Sequence, residues 1–490
     1  VTASGTDSTH GLGRDQLGTA GVTFLVLAAV APLTAAVVVA SLAIGLGAGG
    51  GTVVAYIAVA VVLLLFAVGY AQMSREVVSA GGFYAFVVRG LGRPTGLIAG
   101  FLATTGYNVF VAGAMGTAGF YASSVLAQLT GIHLHWYACA LVIMGSAFLL
   151  ARSGISISAT ALGIALVLEV LVLIAFSAAV LVRTGFSFEA FSPAAITGGA
   201  PAIGLLLAST AFLGFEATSL FSEEAKRPWR TVPRATYLSI VLIGLIHGVT
   251  VWAVVSAVGV ADAQRVAEAH LADGDLLFVL IGEHLGGFLL GVAMILLVVS
   301  LFAAQLAFHN VAGRYLFALG RARVLPVALA RTRESGVPLR ALSVNVAFAV
   351  VVAAPFAVLD LDVLTTLVPV MVGFGTLCII VLQALAALSI VVHFRRSADP
   401  RWWSTLVAPG LGFLGLTAIS AMAVANFALL AGSDAPYVTV LPWLLPVAVI
   451  AGLAHAAHLR ATRPEVYANL DADLERFGGT RNTSAAERGC

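Results

Sequence analysis

Ala28-Ala29-Val30-Ala31-Pro32-Leu33-Thr34 lies in the middle of an apolar stretch spanning 18–47, and Thr210-Ala211-Phe212-Leu213-Gly214-Phe215-Glu216 lies in the middle of another spanning 200–224. Either stretch is long enough to cross a bilayer, which takes about 20 mostly apolar residues. Each is also interrupted. Pro32 has no N–H and pushes Ala31 out of the α region. Gly214 loosens the second stretch, and Glu216 sets a carboxylate at membrane depth. Taken singly, such positions are kinks that neighbouring helices re-satisfy. As a pair they matter more, because corresponding breaks in two halves of a chain point to a transport site at the midplane.

Outward from these breaks, twelve apolar stretches follow one another: 18–47, 52–72, 96–128, 134–152, 158–182, 200–224, 235–259, 285–318, 341–359, 363–393, 406–430 and 437–459, called spans 1 to 12 below. The breaks fall in spans 1 and 6, the first members of two five-span blocks, 1–5 and 6–10. Run lengths are helical, and the alternation of a membrane barrel is missing. The fold class read from this pattern is all-α: a polytopic membrane protein of about 12 transmembrane helices. Composition agrees. Of 490 residues, 60% are hydrophobic and 10% charged, with a mean hydropathy of +1.04, whereas a soluble domain is about 25% charged. Disordered, collagen-like and disulfide-rich classes are excluded, and without a basic stripe on a soluble module so is a nucleic-acid partner. Cys139, Cys378 and Cys490 are too few and too scattered for a zinc site or a disulfide framework, so no metal and no cofactor is expected. The expected partners are a small-molecule substrate and the lipid bilayer.

The charges orient the spans. With both termini on the cytoplasmic side, 23 of the 25 cationic side chains fall in inside segments and only Arg183 and Arg265 lie outside. The positive-inside rule then gives cytoplasmic N- and C-termini and an even number of crossings. The first apolar stretch is too long for the core of a cleavable leader, so it is read as a span. Connections are short, apart from an acidic outer loop at 260–284 and an Arg-rich inner one at 319–340. Glu223–Arg234 reads as a cytoplasmic loop, and Pro464–Phe477 as a short surface helix in the tail. Preference for Arg over Lys and heavy use of Ala suggest a GC-rich bacterium and its cell membrane.

Four stretches carry a family resemblance. Ser79-Ala80-Gly81-Gly82-Phe83-Tyr84, followed by Arg89-Gly90-Leu91-Gly92, is similar to a Gly-Gly-x-Tyr loop between spans 2 and 3. Phe212-Leu213-Gly214-Phe215-Glu216, with Glu223-Glu224-Ala225-Lys226-Arg227-Pro228 and Arg230-Thr231-Val232-Pro233-Arg234-Ala235, matches span 6 and the segment after it. Arg314-Tyr315-Leu316-Phe317-Ala318-Leu319-Gly320-Arg321 resembles the end of span 8, and Val337-Pro338-Leu339-Arg340-Ala341 the entry to span 9. The chain resembles the amino acid/polyamine/organocation permease superfamily. That resemblance implies a LeuT-type 5+5 inverted repeat over 17–393, with spans 11 and 12 (394–459) added and cytoplasmic tails at 1–16 and 460–490. It also implies a secondary active transporter, importing an amino acid by proton symport with alternating access. An amine or polyamine importer, or an amino acid/amine exchanger, is the alternative.

In that fold the broken helices have a physical task. Half-helix N-termini attract a carboxylate, and the C-terminal ends of the other halves offer carbonyls to an ammonium. Backbone contacts are therefore expected at Ala31, Pro32, Leu33, Thr34 and Ala35 in span 1, and at Thr210, Ala211, Phe212, Gly214 and Phe215 in span 6, with Tyr107 and Asn108 of span 3 lining the cavity. Two departures bear on the substrate. Ala31-Pro32-Leu33-Thr34 replaces the usual Gly-x-Gly break and is closer to the amine-importing branches, and Thr210 stands where several members carry a gating aromatic.

Glu169, in Val167-Leu168-Glu169-Val170-Leu171, and Glu216 are intramembrane acids. Insertion scales put such a charge at about +2.5–3.5 kcal/mol at a helix centre, so each must be neutral, paired or facing a cavity. Glu216 matches a Glu that relatives use in proton-linked gating. Glu169 stands where several proton-coupled relatives place a Lys, and is read as the proton carrier itself. His309, near Gln305 and Asn310 in span 8, is a third coupling candidate. The coupling ion is expected to be H+. An enzyme would need a metal-ligand cluster or a nucleophile–base pair on facing helices, and a channel would need a filter-like ring; the sequence offers neither.

Overall fold

Long apolar runs with no strand-like alternation wind as helices, and the computed structural model has no strand among the residues it describes. These are 17–77, 81–153, 159–220, 222, 225–333, 336–430, 438, 440–468 and 470. The expected tail 1–16, most of the tail 460–490, and Ser79, Ala80, Glu223 and Glu224 of the quoted motifs lie outside the described residues.

Among the described residues, ten helices are long and apolar enough to cross a membrane. Two expected crossings do not stand among the ten as separate helices. Spans 1 and 2 run on as one helical stretch of 58 residues, Thr19–Glu76, where a single crossing takes about 20. Span 6 is divided into Pro201–Thr210 and Ala217–Leu220. The others are Arg93–Thr130 (span 3), Trp136–Ser153 (4), Ala159–Arg183 (5), Pro228–Val258 (7), Gly287–Arg321 (8), Leu339–Val358 (9), Val368–Arg396 (10), Ala408–Ala425 (11) and Leu444–Thr462 (12).

Three boundaries differ from the sequence reading. Span 7 begins at Pro228 rather than at 235, so Pro228–Arg234 is helix and not loop. Proline suits the first helical turn, where its fixed φ is already helical and its missing N–H would have had no partner. The outer segment 260–284 contains two helices, Ala263–Ala269 and Leu276–Leu285, and the second buries Leu276, Leu277, Phe278, Leu280 and Ile281. In the tail, Pro464–Ala468 is helical within the stretch read as 464–477.

Span 2 packs along span 7, span 3 along span 8, span 4 along span 9, and the second half of span 1 along Pro201–Thr210. Each pair joins equivalent members of the two five-span blocks, which is the pairing an inverted repeat with an in-plane twofold produces. At the span 1–span 6 crossing the backbones touch. A Cβ on Gly47 would lie 2.7 Å from the Gly204 Cα, and the Ala200 N–H donates to the Gly47 carbonyl at 2.8 Å. Small residues permit that approach.

Span 1 is irregular along its length. Thr19–Val30 ends at Ala31, which lies in the left-handed region at φ 51°, ψ 77°, outside the right-handed α region that the following proline disfavours. The chain restarts as Pro32–Thr34 and continues in wide π turns, Ala35–Val39 and Ala43–Ala48. Such turns recur at functional positions. Between spans 2 and 3, Phe83–Leu91 is a buried helix packed on span 10.

Candidate functional site

The breaks of spans 1 and 6 lie against each other. A Cβ on Gly214 would sit 3.4 Å from the Ala29 Cβ and 3.5 Å from the Val30 Cγ2. That spacing leaves room for a methyl, so the requirement for glycine is conformational: Gly214 has φ 114°, which L side chains rarely adopt. On the N-terminal side of Gly214 the chain closes in tight turns, with the N–H groups of Ala211, Phe212 and Leu213 donating to the carbonyls of Ala208, Ser209 and Thr210 at 3.1 Å each.

A cavity opens beside the breaks. Span 1 lines it with Ala29, Val30, Thr34, Ala35, Val38, Val39 and Leu42, and span 6 with Leu207, Thr210 and Leu213. Span 3 adds Phe110, Ala114 and Thr117, span 8 adds Leu301, Ala304 and Phe308, and span 10 adds Val368 and Val372. Three threonine hydroxyls are the polar side-chain groups of this wall, and no charged side chain belongs to it. The Thr210 hydroxyl is tied to Thr376 Oγ1 at 3.0 Å. A smaller cleft shares Val38 and Leu42 with the cavity and is bounded by Ser41, Tyr121, His270 and Gly274.

Both intramembrane acids sit at the breaks. Glu169, 2% exposed, accepts from Ser300 Oγ at 2.7 Å and from the Leu33 N–H at 3.3 Å. Glu216, 1% exposed, accepts from Tyr107 Oη at 2.5 Å and from the Gly214 N–H at 3.0 Å. Each carboxylate thus takes an N–H that a break has freed, one in each broken span. A freed N–H at the positive end of a half-helix is what offsets a carboxylate's desolvation. Thr34 completes the first arrangement, its hydroxyl donating to Ser300 Oγ at 3.1 Å and its N–H to the same oxygen at 3.4 Å.

Tyr107 also begins an aromatic column. Its ring stacks on Tyr315 at 5.1 Å and on Phe308 at 6.4 Å, and Phe308 meets Phe110 at 4.4 Å on the cavity wall. Tyr107→Phe removes one hydrogen bond to a buried carboxylate, worth about 1.5–3 kcal/mol. The expected outcome is a lowered thermal-unfolding midpoint in detergent, with a smaller loss when Glu216→Gln is already present. A double-mutant cycle measures that difference.

Of the residues read from sequence, Thr34, Ala35 and Thr210 line the cavity, while Ala31, Pro32, Leu33, Ala211 and Gly214 form the breaks beside it. Phe212 and Phe215 are fully buried but turn elsewhere, Phe212 against Tyr56 at 6.4 Å and Phe215 edge-on to Phe66 at 6.1 Å. Asn108 and His309 belong to a separate network. Asn108 Nδ2 donates to the Thr104 carbonyl at 2.7 Å, which leaves its Oδ1 to accept from Asn345 Nδ2 at 2.8 Å. Asn345 Oδ1 therefore accepts from His309 Nδ1 at 2.6 Å, and the chain of donors runs one way from span 8 through span 9 to span 3. Sequence reasoning missed Ser300, Asn345 and the cavity walls from spans 3, 8 and 10.

A family model described as amino acid permease matches residues 17–453. The chain is similar to the branched-chain amino acid permease BcaP of Bacillus subtilis (strain 168), with 28% identity over 231 residues, 43% of this chain and 48% of that one. It is also similar to the branched-chain amino acid permease BcaP of Lactococcus lactis subsp. cremoris (strain MG1363), with 27% identity over 340 residues, 64% of this chain and 70% of that one. The first match spans about half the relative's length.

Proposed function

Because the chain belongs to the amino acid permease family, a family of membrane transporters and not of enzymes, we propose that it imports an amino acid with an apolar side chain by proton symport and alternating access. The observation that carries this reading is the pair of abutting breaks beside an apolar cavity, with a glutamate on a freed N–H in each. A zwitterion finds carbonyls at the end of Thr19–Val30 for its ammonium. Its side chain then rests against valines, leucines and phenylalanines. The substrates for which the relatives are named, branched-chain amino acids, suit such a wall. A diamine suits it less, since a second ammonium would be buried against apolar groups without a partner.

In this reading Glu169 carries the proton, Glu216 links the span 6 break to Tyr107, and Asn108 and His309 serve the scaffold of spans 3, 8 and 9. The chain crosses a bacterial cell membrane twelve times with both termini inside, the orientation its cations favour. The test is uptake of radiolabelled leucine, isoleucine, valine, arginine and putrescine by the full chain in liposomes under an inside-alkaline pH gradient. Accumulation of the first three, collapsed by a protonophore, is expected. Accumulation of none of the five under either a proton or a sodium gradient would sink the reading, and uptake that ignores the pH gradient and occurs only against a counter-substrate inside would make the chain an exchanger.

A further inference from the structure

We propose that Thr34 and Ser300 form the proton path between the cavity and Glu169, an inference that rests on the symport reading above. Glu169 is 2% exposed and does not line the cavity, so a proton arriving in cavity water has no direct access to it. Thr34 does line the cavity. Its hydroxyl donates to Ser300 Oγ at 3.1 Å, and Ser300 Oγ donates to Glu169 Oε2 at 2.7 Å. Three oxygens in hydrogen-bond sequence therefore join the cavity wall to the buried acid.

The direction of this chain is fixed by its ends. A carboxylate only accepts, so Ser300 spends its single O–H on Glu169, and its lone pairs take the O–H and the N–H of Thr34. In the transfer, a hydronium ion in the cavity gives its proton to Thr34 Oγ1 and leaves as water. Thr34 passes its own hydroxyl hydrogen to Ser300 Oγ, and Ser300 passes its hydrogen to Glu169 Oε2. One proton enters, one carboxylate becomes a neutral acid, and both hydroxyls end intact with their O–H bonds reversed. Rotation of the two hydroxyls restores the starting direction once the proton has left. Neutral Glu169 is a weaker acceptor for the Leu33 N–H at 3.3 Å, so the arriving proton also loosens the span 5 contact with the restart of span 1. Ser300 is a positioning and relay residue; it touches no substrate.

The test uses the full chain in liposomes with radiolabelled leucine, comparing uptake driven by a pH gradient with leucine/leucine exchange in its absence. Ser300→Ala is expected to cut gradient-driven uptake by about tenfold or more, to leave exchange intact and to flatten the dependence of uptake on external pH. Ser300→Thr, which keeps the hydroxyl, is expected to restore the pH dependence. If Ser300→Ala keeps wild-type gradient-driven uptake while Glu169→Gln loses it, the relay is overturned and the symport reading stands. Loss of exchange together with gradient-driven uptake in Ser300→Ala overturns it too, because a proton path has no part in exchange. If Glu169→Gln itself keeps gradient-driven uptake, the reading beneath the proposal has failed instead.

Discussion

Glu169→Gln is expected to abolish accumulation of leucine under a pH gradient, by about tenfold or more, while leucine/leucine exchange continues. The amide oxygen can accept the same two hydrogen bonds, from Ser300 Oγ and the Leu33 N–H, that the carboxylate holds at 2.7 and 3.3 Å. Geometry at the span 1 break is therefore kept and only the capacity to take up a proton is lost. A permanently neutral group also escapes the cost of holding a charge at membrane depth, about 2.5–3.5 kcal/mol on insertion scales. The variant should accordingly be no less resistant to heat than the native chain. Parallel measurements of counterflow, gradient-driven uptake and thermal unfolding separate these statements, and normal gradient-driven uptake by the variant would remove Glu169 from the mechanism.

A comparable loss is expected from filling the cavity. Ala304 faces it from span 8, one turn before Phe308. Ala304→Phe places a second ring where a branched side chain would rest, and leucine uptake should fall by about a hundredfold or more, as misplacement in a shaped site commonly costs. Exchange should fall with it, unlike the Glu169 variant, because binding itself is blocked. Cavity filling tends to stabilise a fold, so retained or improved thermal stability is the expected control. Equilibrium binding of radiolabelled leucine checks the first claim. Unchanged leucine affinity in Ala304→Phe would mean that the substrate binds elsewhere.

What sequence could and could not reveal follows from the chemistry of each position. Pro32 and Gly214 are legible because their backbone properties are local: one expels its neighbour from the α region, and the other permits φ 114°. Glu169 and Glu216 are legible because a charge in a 20-residue apolar run needs a reason. The cavity wall is not legible in the same way. Phe110, Ala114 and Thr117 share a face of span 3, but so does any set at that spacing on a buried helix, and a wall facing an apolar substrate has the composition of a core. Ser300 is polar among Val298, Val299 and Leu301, yet its meaning depends on a glutamate 131 residues away. His309 and Asn108 carried the right signal for a buried polar network, and sequence alone does not distinguish that network from a coupling site. Phe212 and Phe215 lie within the break, but the tight turns that close it aim both rings away from the cavity, toward Tyr56 and Phe66.

The column Phe110–Phe308–Tyr107–Tyr315 makes the cavity floor and the far end of span 8 a single mechanical piece. Tyr315 lies beside Gly82, where a Cβ would come within 2.9 Å of its hydroxyl, so the last ring is wedged against the start of the buried helix Phe83–Leu91. Close-packed rings transmit displacement rather than absorb it. In the proposed transport, a cargo bulky enough to push Phe308 would push Tyr107, and with it the grip on Glu216, and then Tyr315. A smaller cargo that left Phe308 at rest would move none of them. The bulk of the cargo would then act as the trigger for release, and a poor fit would bind without being carried.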